Sequence, residues 1–239
     1  MKKRETLATL VDAWLRELAA ARGASPHTLR AYEKDLAKLL AFLAVRGIDD
    51  PRAVGARTLR AWLAEFDEQG HAQSSIQRRL SAVRSFFKHL LAHGHIDAHP
   101  GDGLRAARAR RPLPKALALE EVERLLAAPD RATPRGRRDL ALLECLYSAG
   151  TRAAETVGLD RPDLDFAHGV ARVRGKGKKE RLAALGSHAL AALRAYLDDP
   201  ARPRPTARSA QAVFLNPRGE RLSTRALGRI LERACLAPA

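Results

Sequence analysis

The sequence predicts a mainly α-helical protein of two domains with one small antiparallel β hairpin. Three observations predict this class: the length of 239 residues, an apolar content of 46% with only 5% aromatic residues, and long segments of helical periodicity. A chain of this length exceeds one ordinary domain. Because the apolar positions are mostly Leu, Ala and Val, helices packed on helices are favoured.

The first domain is predicted to consist of helices, because its apolar residues recur at steps of three and four. Ser25 is the predicted N-cap of the second helix, and Pro26 occupies the first helical position, where its missing N–H costs nothing. The four predicted helices begin near Leu7, Ser25, Thr58 and Ser74.

One face of the fourth predicted helix is basic. Arg78, Arg84 and Lys88 point away from its apolar sector, and no acidic residue occurs between Gln77 and His95. A solvated helix face usually mixes charges of both signs. The pattern therefore favours contacts between these three side chains and phosphate groups.

The whole chain is strongly basic. It has 43 Lys and Arg against 27 Asp and Glu, which gives a formal net charge of +16. This excess predicts a polyanionic partner, and an Arg- and Ala-rich genome is the alternative explanation. Cys145 and Cys235 lie in apolar helical stretches, which predicts buried thiols, no disulfide and a cytoplasmic location. No export signal and no membrane anchor are expected.

The predicted domain organisation is residues 1–107, a basic linker at 108–115, and a second domain at 116–239. Pro112 and Pro114 flank one residue and keep the linker extended. In the second domain, strands are predicted at Val170–Arg174 and Arg181–Leu185, joined through Gly175 to Lys179 as a hairpin. Helices are predicted at residues 119–127, 139–148, 188–197 and 224–235.

Two motifs of the second domain carry candidate chemistry. Arg152 opens a helix that restarts after Gly150, where a guanidinium can hold an anionic oxygen pair; a local ion pair with Glu155 is the alternative. The hairpin concentrates cations, which are Arg172, Arg174, Lys176, Lys178, Lys179 and Arg181. A lysine between two glycines suits a positioned proton donor, although most basic hairpins are simply solvated.

Taken together, these motifs resemble the tyrosine recombinases, and among them the Xer chromosome-dimer resolvases. Residues 148–156 correspond to a family segment of the form Ala-Thr-Gly-Leu-Arg-x-x-Glu-Leu, and residues 175–181 to its Gly-Lys-Gly-x-Lys-Glu-Arg hairpin. Residues 25–32 and 79–87 resemble its core-binding segments, and residues 112–115 its interdomain joint.

Two positions depart from the family segment. Thr151 stands where an apolar residue is usual, and Thr156 stands where Leu is usual. These departures predict looser packing around Arg152.

The resemblance implies a helical, SAM-like core-binding domain and an α+β catalytic domain that close on duplex DNA. It implies strand exchange through a 3′-phosphotyrosyl link in chromosome dimer resolution, with Arg152 holding the nonbridging oxygens and Lys176 protonating the 5′ oxygen. The predicted DNA-binding residues are Arg78, Arg84, Lys88, Arg174, Lys178, Lys179 and Arg181. A second recombinase protomer in a tetrameric synapse is implied, with no metal, nucleotide or other small-molecule cofactor.

The family pattern continues into a His-x-x-Arg segment and a tyrosine nucleophile that have no counterpart before Ala239. Tyr32, Tyr147 and Tyr196 do not fit the nucleophile. We therefore expect an incomplete catalytic domain that binds DNA without cutting it, because a partial catalytic set loses most of its rate. The alternatives are a non-catalytic protein that occupies recombination sites or partners an intact recombinase, and a general nucleic-acid-coating protein.

The histidines near the end of the fourth predicted helix are not predicted to bind a metal. His89 and His93 are one helical turn apart, but no third ligand follows at a recognisable spacing. Histidines near a helix C-terminus commonly complement the helix dipole.

Overall fold

The computed structural model of the protein describes residues 5–21, 24–105, 116–175 and 179–237. The chain divides into two compact units, residues 1–113 and 114–239, and each has its own hydrophobic core. The linker predicted at residues 108–115 lies outside the described residues and stays a prediction.

Unit 1 is helical in its described part, with helices α1 (Leu7–Ala21), α2 (Pro26–Val45), α3 (Ala56–Glu68) and α4 (Gln73–Ala92). Ser25 caps α2 as predicted, because its hydroxyl accepts a hydrogen bond from the backbone N–H of Thr28 at 3.1 Å. A single 3-10 turn, Pro51–Ala53, lies between α2 and α3.

The core of unit 1 lies between the apolar stripes of these helices. Trp14, Trp62, Phe86 and Phe87 are almost completely buried. Burial of one large apolar side chain contributes about 1.5–3 kcal/mol. Trp14 also stacks on Tyr32, with ring centroids 5.5 Å apart, so this tyrosine is held by packing.

Unit 2 combines helices with a small antiparallel sheet. Its described helices are α5 (Leu119–Ala127), α6 (Pro134–Ala149), α7 (Ala153–Gly158), α8 (Ser187–Leu197) and α9 (Thr224–Leu236). The strands are β1 (Leu164–Asp165), β2 (Val170–Arg174) and β3 (Glu180–Ala184), in the order β1-β2-β3. The β2–β3 register pairs Arg174 with Glu180, and β2 packs against α7.

The predicted fold class, mainly α with a small antiparallel sheet, is confirmed. Some details differ from the prediction, and β3 (Glu180–Ala184) begins and ends one residue earlier than expected. Helix α6 begins at Pro134 instead of residue 139, because the Thr133 hydroxyl caps it by accepting from the Gly136 N–H at 3.0 Å. Strand β1 was not predicted, because a two-residue strand is too short to show alternation.

The two cysteines differ in environment. Cys145 is buried, and burial together with the nearby Glu144 carboxylate raises its pKa to about 12. The prediction that Cys235 is buried was wrong: it is exposed, because α9 turns Leu227 and Ile230 toward the core instead. None of the helices that the structure describes is long and apolar enough to cross a bilayer.

Tyr196 provides a test of the unit 2 core. Its ring is fully buried, and its hydroxyl accepts a hydrogen bond from the Leu215 N–H at 3.1 Å. We expect Tyr196→Phe to lower the free energy of unfolding by about 1–3 kcal/mol, because a buried N–H loses its acceptor. Tyr147→Phe, at a side chain 59% exposed, should change it by no more than about 0.5 kcal/mol. Equal decreases in the free energy of unfolding for both variants, measured by urea titration, would contradict this role of the Tyr196 hydroxyl.

Candidate phosphate-binding site

A sharp turn between α6 and α7 positions Arg152. Helix α6 ends at Gly150, whose φ of 54° and ψ of 32° lie in the left-handed region that favours glycine. Arg152 then adopts an extended conformation and is the N-cap residue of α7. Its side chain extends into solvent and is 74% exposed.

Thr151 and Thr156 are buried beneath this turn. Their hydroxyl oxygens lie 2.7 Å apart, and the Thr156 hydroxyl also donates to the Arg152 carbonyl oxygen at 3.1 Å. The two departures from the family pattern therefore form one hydrogen-bonded pair. Because each hydroxyl has a partner, the predicted loosening around Arg152 is not observed.

Glu155 connects the turn to the sheet. Its side chain is 3% exposed, and its Oε1 accepts from Arg152 Nη1 at 2.7 Å while its Oε2 accepts from the Arg152 backbone N–H at 3.0 Å. Arg181 of β3 binds the same carboxylate through both terminal nitrogens, at 3.2 and 2.9 Å. Two predicted site residues, Arg152 and Arg181, therefore meet at one buried acid.

These contacts keep Glu155 ionised. Hydrogen bonding to Arg181 is the main cause that lowers the pKa of Glu155 from 4.5 to about 2; the contacts with Arg152 add to it, and burial opposes it. The same bond raises the pKa of Arg181 above its usual value. Two guanidinium groups and one carboxylate leave a net positive charge at neutral pH.

The β2–β3 hairpin begins beside this cluster. A Cβ atom added to Gly175 would lie 3.3 Å from Glu155 Oε1, so the strand passes close to the carboxylate. The Gly175 N–H donates to the Lys179 carbonyl oxygen at 2.7 Å and closes the base of the hairpin. Lys179 is exposed. Lys176 and Lys178, which the sequence also singled out, lie outside the described residues.

Arg174 is bound by acidic side chains, although 49% of its side chain remains exposed. Its guanidinium donates to both carboxylate oxygens of the buried Asp163, at 3.1 and 2.9 Å, and to Glu180 at 3.0 Å. These bonds tie β2 to the 3-10 turn Arg161–Asp163 and to β3. Most of the hydrogen-bonding capacity of Arg174 is therefore used within the chain.

The basic face of α4 is also partly committed to internal contacts. Arg78 pairs with the buried Asp35, although 48% of the Arg78 side chain remains exposed. Arg84 donates to the carbonyl oxygens of Gly101, at 3.3 Å, and Leu104. Lys88 is exposed. Of the three residues, Lys88 and the outer part of Arg78 remain accessible, whereas Arg84 anchors the segment that follows α4.

Sequence reasoning missed the acidic partners that organise these cations. Glu155 was considered only as a local partner of Arg152, and Asp35 and Asp163 were not singled out at all. For Glu155 the available signal was an isolated acid in a segment rich in apolar residues and close to Arg152. Such an acid is rarely buried without a cationic partner.

Comparison with known proteins identifies the class. Residues 11–94 match the family model described as "Phage integrase, N-terminal SAM-like domain", and residues 115–238 match "Phage integrase family". The chain belongs to the phage integrase family of tyrosine recombinases.

Within this family the chain is similar to XerC proteins, as the sequence motifs predicted. It is 42% identical over 233 residues to tyrosine recombinase XerC of Pelotomaculum thermopropionicum, covering 93% of this chain and 76% of that protein. It is also 42% identical over 218 residues to tyrosine recombinase XerC of Xanthomonas campestris pv. campestris, covering 91% of this chain and 66% of the relative.

Solved structures share the fold. The lambda integrase dimer (residues 75–356) bound to a COC′ core site has a TM-score of 0.72 at 19% identity, over 97% of this chain and 81% of that one. XerH bound to a palindromic difH substrate has a TM-score of 0.71 at 18% identity, over 95% of this chain and 68% of the other.

The pKa of Glu155 gives a testable pH dependence. Because its folded pKa is depressed, its stabilising effect is present above the ordinary value of 4.5 and is lost as the pH falls toward 2. The difference in free energy of unfolding between the natural chain and Glu155→Gln should therefore be largest near neutral pH and shrink below about pH 4.5. Urea titrations across this range measure it.

Glu120→Gln is the control, because Glu120 is an exposed acid of α5. The free energy of unfolding of this variant should stay close to that of the natural chain throughout the pH range. A Glu155→Gln difference that does not vary with pH would contradict the assigned ionisation.

Proposed function

We propose that this chain is a Xer-like site-specific recombinase component that acts on duplex DNA, in chromosome dimer resolution in the cytoplasm. The observation that carries the proposal is the cluster in which Arg152 and Arg181 share the buried Glu155 carboxylate at the base of the lysine-bearing hairpin. The similarity to XerC supports the same function.

The cluster has the properties of a preorganised phosphate site. Arg152 uses Nη1 to bind Glu155, which leaves most of its N–H donors directed away from the carboxylate. The buried acid fixes the guanidinium without neutralising both arginines. A phosphate bound here gains charge-assisted hydrogen bonds with little loss of side-chain freedom.

In the proposed reaction, a tyrosine other than the three of this chain loses its hydroxyl proton to solvent, its oxygen forms a bond to phosphorus, and the bond from phosphorus to the 5′ oxygen breaks. Arg152 stabilises the charge on the nonbridging oxygens as the phosphorane forms. Lys176 transfers a proton to the leaving 5′ oxygen. Support for this role is that Lys176 directly follows Gly175, whose backbone lies against Glu155. Neither step calls for a metal or nucleotide cofactor.

We propose a smaller set of DNA contacts in unit 1 than the sequence indicated. Lys88 and the exposed part of Arg78 bind backbone phosphates, whereas Arg84 supports the fold through the Gly101 and Leu104 carbonyl groups. In unit 2, Lys178, Lys179 and Arg181 add positive charge along the hairpin. Arg174 orients the hairpin instead of contacting DNA directly.

The proposed partners are duplex DNA and further recombinase protomers. One solved structure of similar fold is described as a lambda integrase tetramer bound to a Holliday junction, with a TM-score of 0.71 at 19% identity. We propose that this chain assembles in a similar way, with itself or with a second recombinase.

We further propose that these 239 residues hold DNA without forming the covalent link. Tyr196 is fully buried and Tyr32 stacks on Trp14, so neither hydroxyl suits attack on phosphorus. Tyr147 is exposed, but it lies on α6 and does not match the place of the family nucleophile. A non-catalytic occupant of recombination sites is therefore the second candidate function for this polypeptide.

DNA binding tests the unit 1 contacts. We expect Arg78→Ala/Lys88→Ala to weaken binding to duplex DNA, and to reduce the slope of log K against log salt by about 2, because each lost phosphate contact changes it by about 0.9. Arg16→Ala/Arg57→Ala removes the same charge from α1 and α3. It should change the affinity for duplex DNA and the salt slope less. Fluorescence anisotropy at several salt concentrations measures both; equal slopes for the two double variants would contradict the assignment.

Trapping on a nicked suicide substrate tests the chemistry. The 239-residue polypeptide should give no protein–DNA adduct on a denaturing gel. A chimera that adds the part of Pelotomaculum thermopropionicum XerC outside the matched region should form an adduct. In that chimera, Arg152→Ala and Lys176→Ala should each lower the rate by about a hundredfold or more.

Arg131→Ala, at an exposed arginine of the same unit, is the charge-matched control and should leave the rate nearly unchanged. An adduct formed by the 239 residues alone would show that one of their three tyrosines is the nucleophile. A chimera that cuts equally well without Arg152 would refute the proposed catalytic site.

A further inference from the structure

Three potential metal ligands converge in unit 1, whereas Arg152 and Lys176 of the proposed recombination chemistry belong to unit 2. Glu17 of α1 and His89 and His93 of α4 each offer one ligand atom, and these atoms lie within 4.8 Å of one another. The sequence showed the two histidines but no third ligand; packing of α1 against α4 supplies it. We propose that these side chains bind one divalent transition-metal ion of the zinc type.

The hydrogen bonding of His93 prepares it for this role. Its Nδ1 lies 2.9 Å from the His89 carbonyl oxygen. Because a carbonyl oxygen only accepts, this contact requires the proton on Nδ1, and Nε2 is then the nitrogen that can bind a metal. A ligating histidine is commonly oriented by such a bond from its other nitrogen.

The side chains of these residues need only small rotations to bring their ligand atoms to the spacing around one metal ion. His89 Nδ1 lies 3.8 Å from Glu17 Oε1, and the rings of His89 and His93 have centroids 4.0 Å apart. Tetrahedral zinc, with bonds of about 2.0–2.1 Å, places its ligand atoms about 3.3 Å apart. Glu17 and His93 are exposed and can rotate, whereas His89 is mostly buried beside Trp14 and is the fixed ligand.

The ligand types select the class of ion. Two imidazoles and one carboxylate suit zinc and its neighbours in the transition series, whereas magnesium and calcium prefer sites made of oxygen ligands. The position in and after the last turn of α4 also favours a cation, because the helix dipole is negative there. Three protein ligands leave a fourth position for water.

Occupation of this site would connect α1 to α4. Residues 17 and 89 are far apart in sequence, so the unfolded chain does not hold the three ligands together. An ion that binds only the folded unit stabilises it in proportion to the logarithm of the ion concentration. Metal binding at these three side chains does not depend on the proposed recombination chemistry.

Calorimetric titration of the full chain with zinc chloride tests the proposal. The protein should carry no polyhistidine tag and should contain Cys235→Ser, because an exposed thiol is itself a potential zinc ligand. One ion should bind with a Kd below about 10 µM. His93→Ala and Glu17→Gln should each raise the Kd about a hundredfold or more, beyond what loss of an outer-shell partner costs.

His27→Ala is the matched control. It removes an exposed histidine that is hydrogen-bonded to Arg30 in α2, and zinc affinity should not change. Because Glu17 and His93 are exposed, circular dichroism without metal should show both variants folded. If either were unfolded, the other would still decide the outcome.

Thermal unfolding provides a second measurement. Zinc at a hundredfold excess over Kd should raise the unfolding temperature of unit 1 by about 10–13 °C. The shift should disappear in His93→Ala and Glu17→Gln, and magnesium should not produce it. Absence of zinc binding, unchanged affinity in both variants, or an equal shift with magnesium would overturn the proposal.

Discussion

The geometry of the candidate site depends on one interaction, the contact of the buried Glu155 carboxylate with two arginines from different elements. Arg152 is placed by the turn at Gly150, and Arg181 is placed by β3. Without the acid between them, the guanidinium groups of Arg152 and Arg181 would repel each other. The carboxylate therefore fixes both the direction of Arg152 and the position of the hairpin relative to α7.

Net charge alone overstates how much positive surface the protein offers. Several arginines hold the fold together through hydrogen bonds within the chain: Arg84 binds carbonyl groups, Arg174 binds the buried Asp163, and Arg138 binds Asp139 and the Leu215 carbonyl oxygen. Their charge contributes to the long-range field, but many of their donors are already used. Internal acceptors therefore determine which donors stay available to an anion: carbonyl oxygens for Arg84, and the buried acids Asp35, Asp163 and Glu155 for the arginines beside them.

Much of this architecture could be predicted from local signals in the sequence. The periodic apolar stripe and the Ser25 cap located α2, and the glycines between basic strands located the hairpin. The contacts that could not be predicted from the sequence are those that depend on tertiary structure. Arg181 lies 26 residues from Glu155, and Arg84 meets a segment that returns to it 17 to 20 residues later. A helical wheel shows the direction in which the Arg84 side chain points. It does not show which later segment of the chain lies in that direction.

The Thr151–Thr156 pair has a consequence for sequence variation in this branch of the family. An apolar side chain at position 156 alone would leave the Thr151 hydroxyl without its partner in a dry interior, whereas the Thr156 hydroxyl would keep its bond to the Arg152 carbonyl oxygen after a change at position 151 alone. The effect of a change at position 156 therefore depends on the residue at position 151. Libraries or ancestral reconstructions that mutate the turn beneath Arg152 should change position 151 before position 156, since the opposite order passes through a less stable intermediate.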